Sequence, residues 1–243
     1  QEIVYHDDEF QNMVNKTEFY TATPINNNGI TMTNPQNPEN SDCGPTAYKL
    51  TYNKAIKKGI SRKYDTVVYF GVKEPHALEK DKYTYVFTAI IRTCLSGKDD
   101  YYNILTFHAG VNESNRVTSV VKEFSSKYNK SLFNKLFVDI QNREFPHTKS
   151  VFKVENIVFK GIHSRTKKRH DIIREFDKKI PGRIFILSSC RTIGEGIDTK
   201  WANMGVPINP SQSIVKVSQR IGRLVRIPEK NMPPAILLIP CMV

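Results

Sequence analysis

Gln219-Arg220-Ile221-Gly222-Arg223-Leu224-Val225-Arg226 packs an amide and three guanidinium groups into eight residues. On a helix predicted over 212–225, the spacing puts Gln219, Arg223 and Arg226 on one face. Guanidinium suits phosphate because its donors lie in a fixed plane and it does not deprotonate, and a departing γ-phosphoryl group needs positive charge beside it. Taken alone, the segment reads equally as a solvated basic helix face.

A second segment gives the first a context. Ser188-Ser189-Cys190-Arg191-Thr192-Ile193-Gly194-Glu195-Gly196-Ile197-Asp198 follows the apolar strand Ile184–Leu187. Gly194 and Gly196 allow a backbone to approach phosphate or ribose closely, and the hydroxyls of Ser188 and Thr192 can hold a phosphodiester. Such a loop by itself is a tight turn more often than a site. At the other end of the chain, Ile3-Val4-Tyr5 leads into Asp7-Asp8-Glu9, which sets carboxylates at the C-terminal end of a short strand. Open α/β sheets place their ligand chemistry there.

The elements that must carry these groups alternate. A short helix over 48–58 ends at Gly59, and a strand follows over 64–72. The pattern then predicts a helix over 75–95, a strand over 104–107, a helix over 114–128, a strand over 151–159 and a helix over 167–178. Strands over 184–187, 204–208 and 235–239 complete it, with the helix over 212–225 before the last. Alternating strands and helices of this length predict an α/β fold with a parallel sheet covered on both faces. Residues 25–46, rich in Asn, Pro, Gly and Ser, read as a loop or linker. The basic stretch 128–149, with an apolar patch from Leu132-Phe133 to Ile140, has no assignment.

Together these residues resemble the DExH-type superfamily 2 helicases and translocases. Gly194-Glu195-Gly196-Ile197-Asp198 is similar to their motif V, and Gln219, Gly222, Arg223 and Arg226 match the QxxGRxxR of motif VI. Ile104-Leu105-Thr106-Phe107-His108 is similar to motif IV, 163–176 to the strand-to-helix segment after it, and Tyr20-Thr21-Ala22-Thr23-Pro24 to motif III. Asp8-Glu9-Phe10-Gln11 stands where the family carries D-E-x-H, with Gln11 in place of the histidine. Cys43-Gly44-Pro45, Tyr48, Ala55-Ile56 and Gly59 look like the connection found in restriction-endonuclease-type and viral members.

The resemblance implies a RecA-like second lobe over 73–243, with motifs IV, V and VI. Residues 1–72 would be a remnant of the first lobe, with motifs II and III and a linker. It implies ATP and Mg2+ as ligands: Asp8 and Glu9 for the metal and attacking water, Gln219, Arg223 and Arg226 for the phosphates, and Gly194, Gly196 and Asp198 for the nucleotide. Ser188, Arg191, Thr192, Gly161 and His163 would hold a nucleic-acid backbone, and Thr21 and Thr23 would couple nucleotide state to it. The implied activity is ATP-driven movement along nucleic acid, DNA by the spelling of motifs III and V. The partner for the cleft is the rest of a first lobe, because no GxxxxGK[ST] phosphate loop occurs here. The expectation is therefore a fragment of a longer helicase, inactive as an ATPase by itself.

Composition agrees without deciding. Thirty-six Lys and Arg against 24 Asp and Glu give a formal net charge of +12, a field that attracts polyanions. No apolar run is long enough to span a membrane, and the acidic, polar N-terminal stretch is unlike a signal peptide. The four cysteines stand far apart, with neither zinc spacing nor a disulfide framework, which fits an intracellular protein. No histidine pair has metal-ligand spacing. Two other classes stay open on these residues: a phosphoryl-transfer enzyme of another α/β family, which would need its own phosphate loop, and a lobe that binds nucleic acid or a partner protein without turnover.

Overall fold

A computed structural model describes residues 49–71, 83–108, 120–148, 150–163, 166–189, 199–208, 214–229 and 231–242. Six strands form one sheet: β1 (Tyr64–Gly71), β2 (Tyr102–Phe107), β3 (Ile157–Ile162), β4 (Ile184–Ser189), β5 (Met204–Pro207) and β6 (Ala235–Met242). Their order is β1-β6-β5-β2-β4-β3, and every neighbouring pair is parallel. Parallel strands need crossovers, and here helices supply them. The helices are α1 (Tyr52–Lys57), α2 (Thr84–Ser96), α3 (Lys127–Glu144), α4 (Arg169–Phe176) and α5 (Ile214–Leu224).

β2 and β4 are buried along their whole length, so their side chains sort alternately to two apolar layers. Ile104, Ile184 and Ile186 join Val86, Phe87, Ile90 and Ile91 of α2 and Phe133, Phe137 and Ile140 of α3 in one layer. Leu105, Phe107, Phe185 and Leu187 face the other, with Ile173 and Phe176 of α4 and Leu224 of α5. The first layer is stiffened by aromatic edges: Phe87 meets Phe124, Phe133 and Phe159 at centroid separations of 5.4, 5.5 and 5.9 Å. Such T-shaped pairs add to the free energy of burial. The α/β fold expected from the alternation is the fold found.

Several elements differ from expectation. The unassigned stretch is α3, an 18-residue helix that starts where Ser126 accepts a hydrogen bond from the Asn129 amide at 3.2 Å. That cap separates α3 from the helical residues 120–124, so the single helix expected over 114–128 is interrupted. The strand expected over 151–159 begins instead at Ile157, after a 3-10 turn over Val154–Asn156, and runs on through Gly161. α2 starts at Thr84, and residues 75–82 of the helix expected there lie outside the described residues. α1 closes as expected at Gly59, whose φ of 67° suits a residue without a Cβ.

β1, which the sequence places in the connecting segment, is hydrogen-bonded along its full length to β6, from Tyr64 opposite Ala235 to Gly71 opposite Met242. The compact unit that holds the sheet runs from Thr51 to Val243. Among the described residues no helix is long and apolar enough to cross a membrane.

Candidate functional site

The expected site residues that are described gather at two opposite edges of the sheet. At the C-terminal edge, Gly161 of β3 and Thr106 of β2 both stand in register with Ser188 of β4. His108 follows β2, and its amide donates to the Ser189 carbonyl at 3.2 Å. The His108 ring is buried against Phe124, with Nε2 2.8 Å from Ser188 Oγ and 3.4 Å from Thr106 Oγ1. Ser188 is therefore engaged inside the domain, where it cannot touch a bound strand without local rearrangement. His163, half-buried just past β3, has its amide tied to Thr166 Oγ1 at 3.0 Å, and its carbonyl accepts from the Thr166 amide at 2.9 Å.

Gly161 has a packing reason to be glycine. A Cβ there would lie 2.6 Å from Ser125 Oγ and 2.8 Å from Val121 Cγ1. The helical residues 120–124 press on β3 at this point, so close approach of the chain to itself accounts for the residue.

α5 runs from this edge to the other. Arg220 lies over the Phe107 ring at 5.6 Å, and Leu224 is buried against Gly205, where an added Cβ would lie 2.4 Å from Leu224 Cδ1. Gln219 is exposed and Arg223 half-buried one helical turn on. The helix ends at Leu224, so Arg226 is not on the helical face expected for it. It sits two residues beyond the helix in a cleft of about 540 Å³ lined by Ile60, Lys200, Trp201, Arg226, Ile227 and Pro228. Burial lowers its pKa from the ordinary guanidinium range while the Asp177 carboxylate opposes the shift. Such a group stays charged at neutral pH.

Asp177 also builds the cleft wall. Its Oδ1 accepts from the Lys200 and Trp201 amides at 2.6 and 2.7 Å. Lys179 sits over the Tyr101 and Trp201 rings at 5.8 and 5.9 Å. A half-buried arginine with a lysine beside it suits an anionic ligand better than a cation. Among the described residues no group of three or more His, Cys, Asp or Glu could hold a metal. Asp8, Glu9, Thr21, Thr23, Arg191, Thr192, Gly194, Gly196 and Asp198 lie outside the described residues.

The sequence reading missed the polar frame beneath this edge. Arg183, buried at the start of β4, donates to Asn103 Oδ1 at 3.1 Å and to the carbonyls of Glu175, Phe176 and Lys178 at 3.1, 3.2 and 2.5 Å. Asn203 Oδ1 accepts from the Asn103 amide at 2.8 Å, and its Nδ2 donates to Asp99 Oδ2 at 3.2 Å. Lone polar residues before buried strands are the only signal such a frame leaves in a sequence.

Residues 134–228, which include α4, β4, β5 and α5, match the family described as helicase conserved C-terminal domain. Over those residues the sheet domain resembles a helicase C-terminal lobe, and its all-parallel sheet has the RecA-like fold. The lobe is similar to the ATP-dependent Type ISP restriction-modification enzyme LlaBIII, solved bound to DNA. The TM-score is 0.51 at 13% identity, covering 81% of this chain and 13% of that one. It is also similar to a fragment described as an HsdR subunit of a type I restriction enzyme from Vibrio vulnificus YJ016. There the TM-score is 0.52 at 15% identity, covering 90% of this chain and 38% of that one. The chain thus spans well under half of either protein. No curated protein matches it.

Proposed function

We propose that this lobe forms one wall of an ATP site in a helicase or translocase. Arg226 and Arg223 would neutralise charge on the transferring phosphoryl group, and Gln219 would hydrogen-bond beside them. The observation that carries the reading is the placement of Arg226: half-buried in a cleft with Lys200 and Trp201, at the end of the helix that bears Gln219 and Arg223. Fixed positive charge in a partly desolvated site stabilises a phosphoryl transition state more than the same charge in water.

In this reading Asp8 and Glu9 hold Mg2+ and the attacking water. Gly194, Gly196 and Asp198 contact the nucleotide, and Thr21 and Thr23 pass its state onward. Gly161 and His163 stand at the opposite sheet edge, and with Arg191 and Thr192 they would supply a sequence-independent grip on phosphodiester that suits a motor. Ser188 supports that edge through His108. The +12 charge fits a polyanionic track, and DNA is the preferred one on the spelling of the motifs. Hydrolysis would open and close the cleft against a first lobe.

The test is the ATPase rate of the full-length protein carrying this chain, with and without single-stranded and duplex DNA and RNA, beside its Arg226→Ala variant. The expected result is stimulation by one nucleic acid and a loss of roughly 100-fold or more in the variant. Nucleic-acid binding without any turnover in the wild type would refute the motor and leave a binding lobe.

A further inference from the structure

The C-terminal end of α5 is held by a residue that lies far away in sequence and belongs to none of the helicase-like motifs. Arg62, 4% exposed, follows α1 and precedes β1. Its Nε donates to the Leu224 carbonyl at 2.8 Å, and its backbone amide donates to the Val225 carbonyl at 3.0 Å. The Ser61 hydroxyl donates to that same Val225 carbonyl at 3.1 Å. Nη2 of Arg62 donates to the Ala202 carbonyl, and Nη1 approaches Met232 Sδ at 3.8 Å. The Tyr52 hydroxyl in turn donates to the Arg62 carbonyl at 2.7 Å.

Two features make this more than a helix cap. The last carbonyls of a helix lack intrahelical donors, and a cation there also opposes the negative end of the dipole. Here, however, the Arg62 guanidinium holds the Leu224 carbonyl, and the next carbonyl, that of Val225 in the peptide unit leading into Arg226, is held by the Arg62 backbone amide and the Ser61 hydroxyl, so side chain and backbone together fix where Arg226 leaves the helix. The same guanidinium also binds Ala202, next to the Lys200-Trp201 strip that lines the Arg226 cleft. A single planar fork thus ties both walls of the cleft together, and a lysine could not reproduce its geometry.

We propose that Arg62 is the positioning residue for Arg226, its guanidinium setting that residue's place in the cleft by holding the Leu224 carbonyl and the Ala202 strip in one geometry, beside the Val225 carbonyl that Ser61 helps to hold. The inference rests on the reading of Arg226 as the arginine that meets phosphate. It adds that the segment immediately before β1 controls that arginine's posture.

The experiment uses the full-length protein with the substitutions Arg62→Met, Arg62→Lys, Ser61→Ala and Arg226→Ala, and the double variant of Arg62→Met with Arg226→Ala. Arg62→Met should lower the nucleic-acid-stimulated kcat about tenfold or more, with the ATP KM and nucleic-acid affinity within roughly twofold of wild type. Arg62→Lys should fall between. In the Arg226→Ala background, Arg62→Met should cost nothing further, because a positioning residue has no effect once the group it positions is gone. Hydrogen exchange should speed up over 221–229 and stay unchanged in β2 and β4. Losses that multiply in the double variant, or faster exchange throughout the sheet, would overturn the proposal in favour of a general stabilising role. Should Arg62→Met fail to fold, Arg62→Lys carries the same comparisons, and Ser61→Ala reads the contribution of the Val225 bond separately. If the wild type has no stimulated ATPase, the functional reading fails on its own, and unchanged protection over 221–229 in the Arg62 variants would still refute the positioning.

Discussion

Replacing Gly205 with alanine tests whether α5 is seated as tightly as it looks. A Cβ at this position would lie 2.4 Å from Leu224 Cδ1, and 3.1 Å from both Cδ2 and Cγ. Carbon atoms settle at about 3.5–4.0 Å, so the nearest contact falls short by more than about 1 Å. Rotation about χ2 of Leu224 cannot relieve the clash fully, because it leaves Cγ in place and Cγ itself stands too close. The helix must shift away from β5, or Leu224 must leave its rotamer, at a cost of about 1–3 kcal/mol. For a domain of this size each kcal/mol moves Tm by about 2–4 °C, so a fall of roughly 2–12 °C is expected. Leu224→Ala alone should cost about 2–5 kcal/mol through the cavity it leaves. Combined with Gly205→Ala, the new methyl enters that space, and the pair should destabilise by clearly less than the sum of the two. Thermal unfolding of the three variants by circular dichroism reads out the cycle. An unchanged Tm for Gly205→Ala, or strict additivity in the pair, would show that α5 does not press on β5 at this point.

Arg183→Met should cost about 1–3 kcal/mol in urea unfolding, since it strips donors from Asn103 Oδ1, from the buried Phe176 carbonyl and from the part-buried carbonyls of Glu175 and Lys178 at once. A cost below about 1 kcal/mol would mean that the frame is solvated. Glu144 offers a pH test: the hydrogen bond from Arg92 holds its carboxyl below the usual range. Its folded pKa is depressed, so the stability it adds is present above the ordinary glutamate pKa and lost as pH falls through the folded value. Because the pair is partly exposed, Glu144→Gln should cost less than about 1 kcal/mol at neutral pH, and variant and wild type should converge in acid. A gap that persists below both pKa values would rule out the ion pair as its source.

The architecture was legible in the sequence because the strands are short, apolar and spaced by helices. Ile184–Leu187 and Ile104–Phe107 were placed within two residues at either end, since buried parallel strands leave unbroken apolar runs. α3 was obscured because its core residues Phe133, Phe137 and Ile140 are diluted by lysines on the exposed face and joined on the buried one by Asn129. The turn at Val154–Asn156 escaped notice because β-branched residues on either side of it read as one strand. At the site, motif spelling marked Gln219, Arg223 and Arg226, but helical periodicity continued the helix through a residue that the fold places beyond its end. Arg62, Arg183 and Asn203 left no signal beyond a lone polar residue before a strand, since their partners on other elements are chosen by topology rather than by spacing.

The pairing of β1 with β6 carries a consequence for assembly. Among the described residues, β1 lies at one edge of the sheet and pairs with β6, the strand that comes latest in the chain. On a ribosome, β1 must wait until residues 235–242 emerge before it can pair, and Arg62, just before it, must wait for partners that run from Ala202 to Met232. Contacts of such long separation close late and slowly. The carbonyls at the end of α5 therefore take their arginine from a segment whose own strand is anchored only when the sheet is complete. The cleft around Arg226 is then one of the last parts of the lobe to take shape, and a partly made lobe carries the arginine without the geometry to use it.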